Sequence, residues 1–243
     1  MSLAIVALAS FFAGVAQGSI GFGMALVLAP FAMFALAPSE AVPVVVLMSL
    51  LNTGLVSLHA RRDVVPSLLI PLAVGGVAGF QAGVGVLLAT DGNLLKFATG
   101  LFVAVFSLAM WRGWRRPLPE NTPVLAAVGL VSGFMGGSTS MGGPPVVLFL
   151  SNQRTPREKF RANLIAFFFI MNCFGLVTLL WNGLFSPGLL SKAALFLPGI
   201  LAGTLTGMWL SGRIREAFFQ RVVLLVAGLA GVSLMLASAG RLL

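Results

Sequence analysis

Apolar blocks of about 20 residues follow one another along the chain, separated by short connections that hold most of the charges. A helix of that length crosses the hydrocarbon core of a bilayer, and the blocks lack the alternating pattern of half-buried strands. Only 9% of the residues are charged, whereas a soluble domain carries roughly 25%. The sequence therefore predicts an all-α, polytopic transmembrane helical bundle.

The apolar blocks form two series, each opening with a long first segment. The first series comprises residues 3–36, 41–58, 66–89 and 94–111, and the second comprises residues 123–150, 160–181, 189–210 and 217–237. Charges and two prolines lie between the series. We therefore expect a first membrane repeat at residues 1–111, a cytoplasmic linker at 112–122 and a second membrane repeat at 123–243.

The two series are related in sequence. A first set of residues recurs 119 positions later: Gly14, Gly18, Ser19 and Gly23 match Gly133, Gly137, Ser138 and Gly142. A second set recurs 124 positions later: Gly75, Gly79 and Gly83 match Gly199, Gly203 and Gly207. Ordered matches with a slowly growing offset are typical of an internal duplication. For the second set, close packing of helices through small residues is the favoured interpretation.

The basic residues predict which connections are cytoplasmic. The net charge is +9, and most of the 15 Lys and Arg residues lie in or beside four connections, at Arg61, Arg112, Arg154 and Arg213. Lys and Arg are retained in short cytoplasmic loops, which leaves the loops near Glu40, Asp91 and Ser186 outside. This orienting role explains the positive charge without a nucleic acid partner.

This orientation places both ends of residues 123–150 in the cytoplasm, so the segment must enter the membrane and return. Its centre is rich in glycine, which permits positive φ, and holds Pro144 and Pro145, which can begin a helix but not continue one. The matching first segment would turn at residues 17–23 from outside. We therefore predict inverted repeats, each with a Gly-rich, broken or re-entrant first segment followed by three transmembrane helices. The alternative, eight crossings with parallel halves, fits the charges less well.

The breaks in the first segments are the candidate substrate site. Free N–H groups and the positive end of the dipole make a helix N-terminus attractive to anions, and the breaks place such N-termini near Gly23 and Pro144. The Ser-Thr-Ser run and the double proline of the second break favour binding over helix packing. The candidate substrate-binding residues at the breaks are Gln17, Gly18, Ser19, Gly23, Gly137, Ser138, Thr139, Ser140, Gly142, Gly143 and Pro144.

Two asparagines, Asn52 and Asn172, lie mid-span in corresponding stretches and complete the candidate set. A buried amide in hydrocarbon needs a partner, so each could cap the broken helix of its own half or donate to a ligand. All six acidic residues fall in connections or at span ends, whereas intramembrane carboxylates mark proton relays and cation paths. The sequence therefore predicts an anionic substrate, with neither a metal site nor a cofactor.

A longer motif carries a resemblance to a known family. The motif Gly133-Phe-Met-Gly-Gly-Ser-Thr-Ser-Met-Gly-Gly-Pro-Pro-Val-Val-Leu-Phe-Leu150, with its shorter echo Gly14-Val-Ala-Gln-Gly-Ser-Ile-Gly-Phe-Gly23, resembles the TauE/SafE sulfite exporter family, of the 4-toluene sulfonate uptake permease type. The resemblance covers essentially the whole chain. It implies a multi-pass carrier of the bacterial inner membrane for sulfite or a related sulfur anion such as an organosulfonate.

The leading hypothesis is a secondary transporter that exports such an anion by alternating access, with the anion held at the broken-helix N-termini. The alternative is an anion channel, or a permease for a different small oxyanion or carboxylate. A membrane-embedded enzyme is disfavoured because the predicted spans hold no His/Asp/Glu cluster and Cys173 has no base nearby in sequence. The expected partners are the small anion and the lipid bilayer, and a homodimer is an open alternative to a monomer.

Overall fold

The computed structural model describes residues 3–57, 63–113, 119–153, 156–211, 213 and 216–240, which are helical throughout their regular segments. The helices are α1 (Leu3–Ile20), α2 (Met24–Ala35), α3 (Pro38–Ser57), α4 (Pro66–Ala89), α5 (Gly92–Trp111), α6 (Thr122–Thr139), α7 (Gly143–Asn152), α8 (Arg157–Trp181), α9 (Pro187–Leu210) and α10 (Glu216–Ala239). Seven of them, α3–α6 and α8–α10, are long and apolar enough to cross a membrane. For these residues the prediction of an all-α polytopic bundle is confirmed.

The N–H groups in the first turn of a helix have no partner within the helix. Several helices here begin with residues that accept hydrogen bonds from these groups, or with proline, which has no N–H. Asp91 accepts hydrogen bonds from the backbone N–H groups of Asn93 and Leu94 at the start of α5, and Asn121 accepts one from Val124 at the start of α6. Proline occupies one of the first two positions of α4, α6, α7 and α9, where its missing N–H is not needed. These residues place the helix starts within a few residues of the predicted spans.

Both long first segments are interrupted. Between α1 and α2, Gly21 and Gly23 adopt φ values of 83° and 101°, and between α6 and α7, Ser140 adopts a φ of 61°. Glycine adopts positive φ readily, whereas a serine there is strained. Gly142 accepts a hydrogen bond from the side chain of Ser132, ten residues earlier, so the chain turns back on itself at the second break.

The main helix pairs join the first half of the chain to the second. Helix α1 packs against α9, α4 against α6, α5 against α10 and α3 against α8. Each helix of the first half has a counterpart five places later in the second half, so that α1 corresponds to α6 and α5 to α10. Replacing every helix by its counterpart turns the α1–α9 pair into the α6–α4 pair and leaves the α5–α10 and α3–α8 pairs unchanged. This is the pattern that an approximate twofold relationship between the halves produces. The duplication and its inversion remain predictions.

Glycines make the closest of these contacts. A Cβ at Gly79 or Gly83 of α4 would overlap a backbone carbonyl of α6, and a Cβ at Gly203 or Gly207 would overlap one of α1. Without side chains the backbones approach closely, which is a common basis for helix association in lipid. The packing interpretation is confirmed for Gly75, Gly79, Gly83, Gly203 and Gly207.

The connections gather at two opposite ends of the bundle. At one end, Lys192 of α9 forms an ion pair with Glu40 of α3 (Nζ–Oε1 2.8 Å). At the other end, the backbone N–H of Val65 donates to Oδ1 of Asn163 at 2.9 Å, joining the start of α4 to the start of α8. The charge pattern predicts the same grouping of connections. The basic residues Arg61 and Arg154, and residues 114–118 of the linker, lie outside the described residues.

Candidate functional site

A cavity of about 70 Å³ lies between the two helix breaks. A buried water needs roughly 10–15 Å³, so the cavity has room for several waters or for one small polyatomic ion. The first break and the start of α2 contribute Gln17, Phe22, Gly23, Ala25 and Leu26, and the second break and the start of α7 contribute Ser140, Met141, Gly142, Gly143 and Pro144. The two breaks therefore face the same space.

The cavity is uncharged and mostly apolar, with six polar side chains in its wall. None of the described residues that line it is acidic or basic, and its polar side chains are Gln17, Ser49, Thr53, Ser132, Ser140 and Asn172. Phenylalanines from α4, α5 and α8 form much of the remaining wall. Five of the six polar side chains already donate within the protein: Gln17 to Gly21, Ser49 to Met24, Thr53 to Ser49, Ser132 to Gly142 and Ser140 to Thr139. An anion here would therefore depend on the amide of Asn172 and on backbone N–H groups, which act strongly in surroundings of low dielectric, and it would meet no carboxylate among the described lining residues.

The N-terminus of α2 lies at this cavity and has backbone N–H groups that its helix does not use. Gly23 is the N-cap and has no side-chain capping bond, and the N–H of Val27 makes the first helical hydrogen bond, to the Gly23 carbonyl at 3.0 Å. The N–H groups of residues 23–26 consequently have no partner within the helix. Gly23, Ala25 and Leu26 line the cavity, where the positive end of the helix dipole adds to their attraction for an anion.

The N-terminus of α7 differs because prolines occupy two positions of its first turn. Gly142 is the N-cap, and Gly143, Pro144 and Pro145 follow. Proline has no N–H, so only the two glycines keep backbone donors. The looser of the two sequence motifs therefore supplies more backbone donors than the more distinctive one.

The structure brings part of the predicted site together at the cavity. Gln17, Gly23, Ser140, Gly142, Gly143, Pro144 and Asn172 line it. Gly18 and Gly137 lie instead on the faces where α1 packs on α9 and α6 packs on α4. The hydroxyls of Ser19, Ser138 and Thr139 donate to backbone carbonyls one turn earlier in their own helices, which is a common choice for a hydroxyl on a helix.

The two asparagines of the predicted site have different surroundings. Asn52 is fully buried, its Nδ2 donates to Sδ of Met24 at 3.2 Å, and its Oδ1 accepts from Oγ1 of Thr204 at 3.0 Å. It thereby joins α3 to the first residue of α2 and to α9. Asn172 is half-buried, lines the cavity and has no hydrogen-bond partner among the described residues. Asn52 thus contacts the broken helix of its own half through the Met24 side chain, whereas Asn172 bonds no described residue; a role of either asparagine in substrate binding stays a prediction.

Sequence reasoning missed the hydroxyls of Ser49, Thr53 and Ser132, which also line the cavity. Ser49 and Thr53 are four residues apart on α3 and so lie on one face of the helix. That spacing of two hydroxyls within an apolar span was a usable signal, since it flanks Asn52. Phe80, which reaches the cavity from α4, carries no polar signal and could be found only from the fold.

Arg161 of α8 reaches the first break without lining the cavity. Its Nη2 donates to the Gly18 carbonyl at 2.9 Å, and its Nη1 donates to Oγ of Ser211 at 3.2 Å. Its Cγ lies 3.1 Å from where a Cβ of Gly21 would be. A cation is favourable at this place because the last carbonyls of α1 form the negative end of its dipole.

Comparison with known proteins supplies the family of this chain. No curated protein and no solved structure matches the chain significantly. The family model described as "Sulfite exporter TauE/SafE" matches residues 6–234, a range that includes both breaks and every residue that lines the cavity. That match covers nearly the whole chain and agrees with the resemblance carried by the two glycine-rich motifs. The chain belongs to the sulfite exporter TauE/SafE family.

Proposed function

We propose that the chain is a secondary transporter of the bacterial inner membrane that exports sulfite, or a related small sulfur anion such as an organosulfonate. Family membership makes it a multi-pass membrane transporter of sulfite or another sulfur anion. One observation carries the more specific proposal: both helix breaks converge on a single uncharged cavity, and one of them presents a helix N-terminus with its backbone donors free.

The anion binds at the N-terminus of α2 in this proposal. In this arrangement the N–H groups at Gly23, Ala25 and Leu26 serve the anion from one side of the cavity, and the amide of Asn172 on α8 serves it from another. An oxyanion has several acceptor oxygens and can accept from donors on different elements at once. No described residue lining the cavity carries a positive charge, so release requires no separation of an ion pair.

The way the helices pair supports alternating access. Close glycine contacts hold α1 to α9 and α4 to α6 as two units. Each unit pairs a helix from the first half of the chain with a helix from the second. The breaks join these units to the short helices α2 and α7, so a relative tilt of the units would expose the cavity first to one side and then to the other. Inversion of the repeats, which is part of this proposal, would make the inward and outward states structurally equivalent.

Replacing Ala25 by proline tests the binding site. Ala25 is the second residue of α2, and the residue 119 positions later is Pro144, the second residue of α7, so the chain already holds proline at the matching position. Ala25→Pro removes one N–H while the first turn of the helix tolerates the ring. Loss of one hydrogen bond to a charged ligand costs about 1.5 kcal/mol, so we expect the apparent affinity for sulfite in proteoliposomes to fall about tenfold.

Two matched variants complete the test. Ala25→Ser keeps the backbone N–H and should keep the affinity, and Pro144→Ala adds a donor on the opposite helix and should not weaken binding. Unchanged sulfite affinity in Ala25→Pro would overturn the site, as would an equal loss in Ala25→Ser. The same vesicles separate a carrier from a channel, because exchange of labelled for unlabelled sulfite that saturates with substrate indicates a carrier, whereas single-channel current indicates a channel.

A further inference from the structure

We propose that an anionic phospholipid binds in a groove between α5 and α10, on the outer surface of the bundle. The groove has a volume of about 470 Å³, within the roughly 300–1,000 Å³ of small-molecule sites. It shares no residue with the cavity between the breaks. Small residues form its floor, among them Ala104 and Gly228, and large half-exposed side chains such as Val105 and Leu229 form its rim. An elongated apolar groove with a small-residue floor suits an acyl chain.

A buried hydroxyl in this groove lacks a partner. Ser107 of α5 is only 5% exposed, lines the groove, and its Oγ has no hydrogen-bond partner within the described part of the chain. Thr99, two turns earlier on the same helix, instead donates to the carbonyl of Leu95 at 2.7 Å. An unpartnered hydroxyl in hydrocarbon is unfavourable, and the ester carbonyl of a glycerolipid is an acceptor that would relieve it once the buried Ser107 side chain turned toward the groove. Ser107 lies one turn from Trp111, and tryptophan is enriched at the level of the headgroups.

Two arginines stand at one end of the groove. A Cβ at Gly100 would touch the backbone of Gly231, and a Cβ at Gly228 would touch Ser107, so α5 and α10 run antiparallel. Arg112 directly follows Trp111, and Arg221 precedes Leu225 by one turn. Because the two helices run antiparallel, both arginines lie at the same end of the groove. Both arginines are exposed, and within the described residues neither guanidinium is paired. The charge pattern places this end in the cytoplasm, where arginines bind lipid phosphates.

The same charges disfavour a second copy of this chain as the occupant. The residues that line the groove are uncharged, so a twofold dimer formed through it would bring the arginines of both copies to one end without an acidic partner from the groove. A phospholipid instead offers an acyl chain to the groove and a phosphate to the arginines. Charge complementarity therefore favours the lipid.

Native mass spectrometry of the purified full-length chain tests the proposal. We expect retention of phosphatidylglycerol over phosphatidylcholine, and about fivefold weaker retention for each of Arg112→Gln and Arg221→Gln. Ala104→Phe fills the groove and should abolish the preference. The matched controls are Ala127→Phe on the exposed face of α6 and Lys159→Gln, an exposed basic residue on α8; both should retain the lipid as the parent does.

Three results would overturn the proposal. They are equal retention of the two lipids by the parent, displacement of phosphatidylglycerol by inorganic phosphate, and a dimer whose abundance falls in Ala104→Phe while lipid retention does not. The arginine variants alter exposed side chains and leave the helix contacts intact, so a folding defect in Ala104→Phe would not remove the test.

Discussion

Arg161 and Gly18 lie 143 residues apart in sequence, and a 2.9 Å hydrogen bond from Nη2 of the arginine to the glycine carbonyl joins them. Gly18 belongs to the last turn of α1, and Ser211, another partner of this guanidinium, follows α9 directly. Since α1 packs along α9, the Arg161 side chain of α8 forms hydrogen bonds at the ends of both helices, next to the first break. The arginine thus connects the break to the end of the bundle predicted to be cytoplasmic.

Removing this connection should loosen the first break. We expect Arg161→Ala to lower the free energy of unfolding by about 1–2 kcal/mol, because two hydrogen bonds from a charged group are lost. Arg161→Lys should recover only part of it, since an ammonium does not reproduce the two directed bonds of a planar guanidinium. Thermal unfolding in detergent measures both. Lys159→Ala, at an exposed position on the same helix, is the control; equal losses in Lys159→Ala and Arg161→Ala would contradict the assigned role.

The glycine contacts between α4 and α6 should tolerate no side chain. In Gly79→Ala the new methyl group would overlap the carbonyl of Leu130, so the helices must separate, and we expect a loss of about 2–3 kcal/mol. Gly85, on the same helix, has nothing within 4 Å of the place that a methyl group would occupy, so Gly85→Ala should be neutral or gain about 0.5–1 kcal/mol. The yield of monodisperse protein and its unfolding temperature report the difference. Similar behaviour of the two variants would show that close packing does not hold this pair.

Asn52 and Asn172 should respond differently to the same substitution. Asn52→Ala removes the bonds to Met24 and Thr204 and leaves a buried hydroxyl with fewer partners, so we expect about 1–3 kcal/mol of lost stability. Asn172→Ala breaks no hydrogen bond among the described residues, so stability should hold while the apparent affinity for sulfite falls. Unfolding temperatures and flux in proteoliposomes, measured on both variants, separate the roles. A loss of stability in Asn172→Ala as large as that in Asn52→Ala would remove the distinction.

The sequence was most informative where local chemistry sets the structure. Apolar length and the charges between the blocks indicated the helices, and glycine runs marked both breaks. The direction in which a side chain points was not predictable, because it depends on which helix lies opposite. Gly18 and Gly137 therefore pack helices although they adjoin the breaks, and Ser138 bonds its own helix. The spacing of Ser49 and Thr53 puts them on one face of α3, but whether that face meets the cavity depends on how α3 packs against the other helices.

A re-entrant arrangement of α6 and α7, which the charge pattern predicts, would place the start of α6 and the start of α8 on the same side of the membrane. Glu120 precedes α6, Glu158 lies in the first turn of α8, and both are exposed, as is Ser191 in the first turns of α9. In a Cys173→Ser background, a membrane-impermeant maleimide should label Glu120→Cys and Glu158→Cys from the cytoplasmic side and Ser191→Cys from the external side. The reason is that Ser132 donates to the carbonyl of Gly142, so the chain turns back at the second break, and α7, about 15 Å long with its ten residues, runs back along α6. Labelling of positions 120 and 158 from opposite sides would instead establish a single tilted span, with eight crossings and parallel halves.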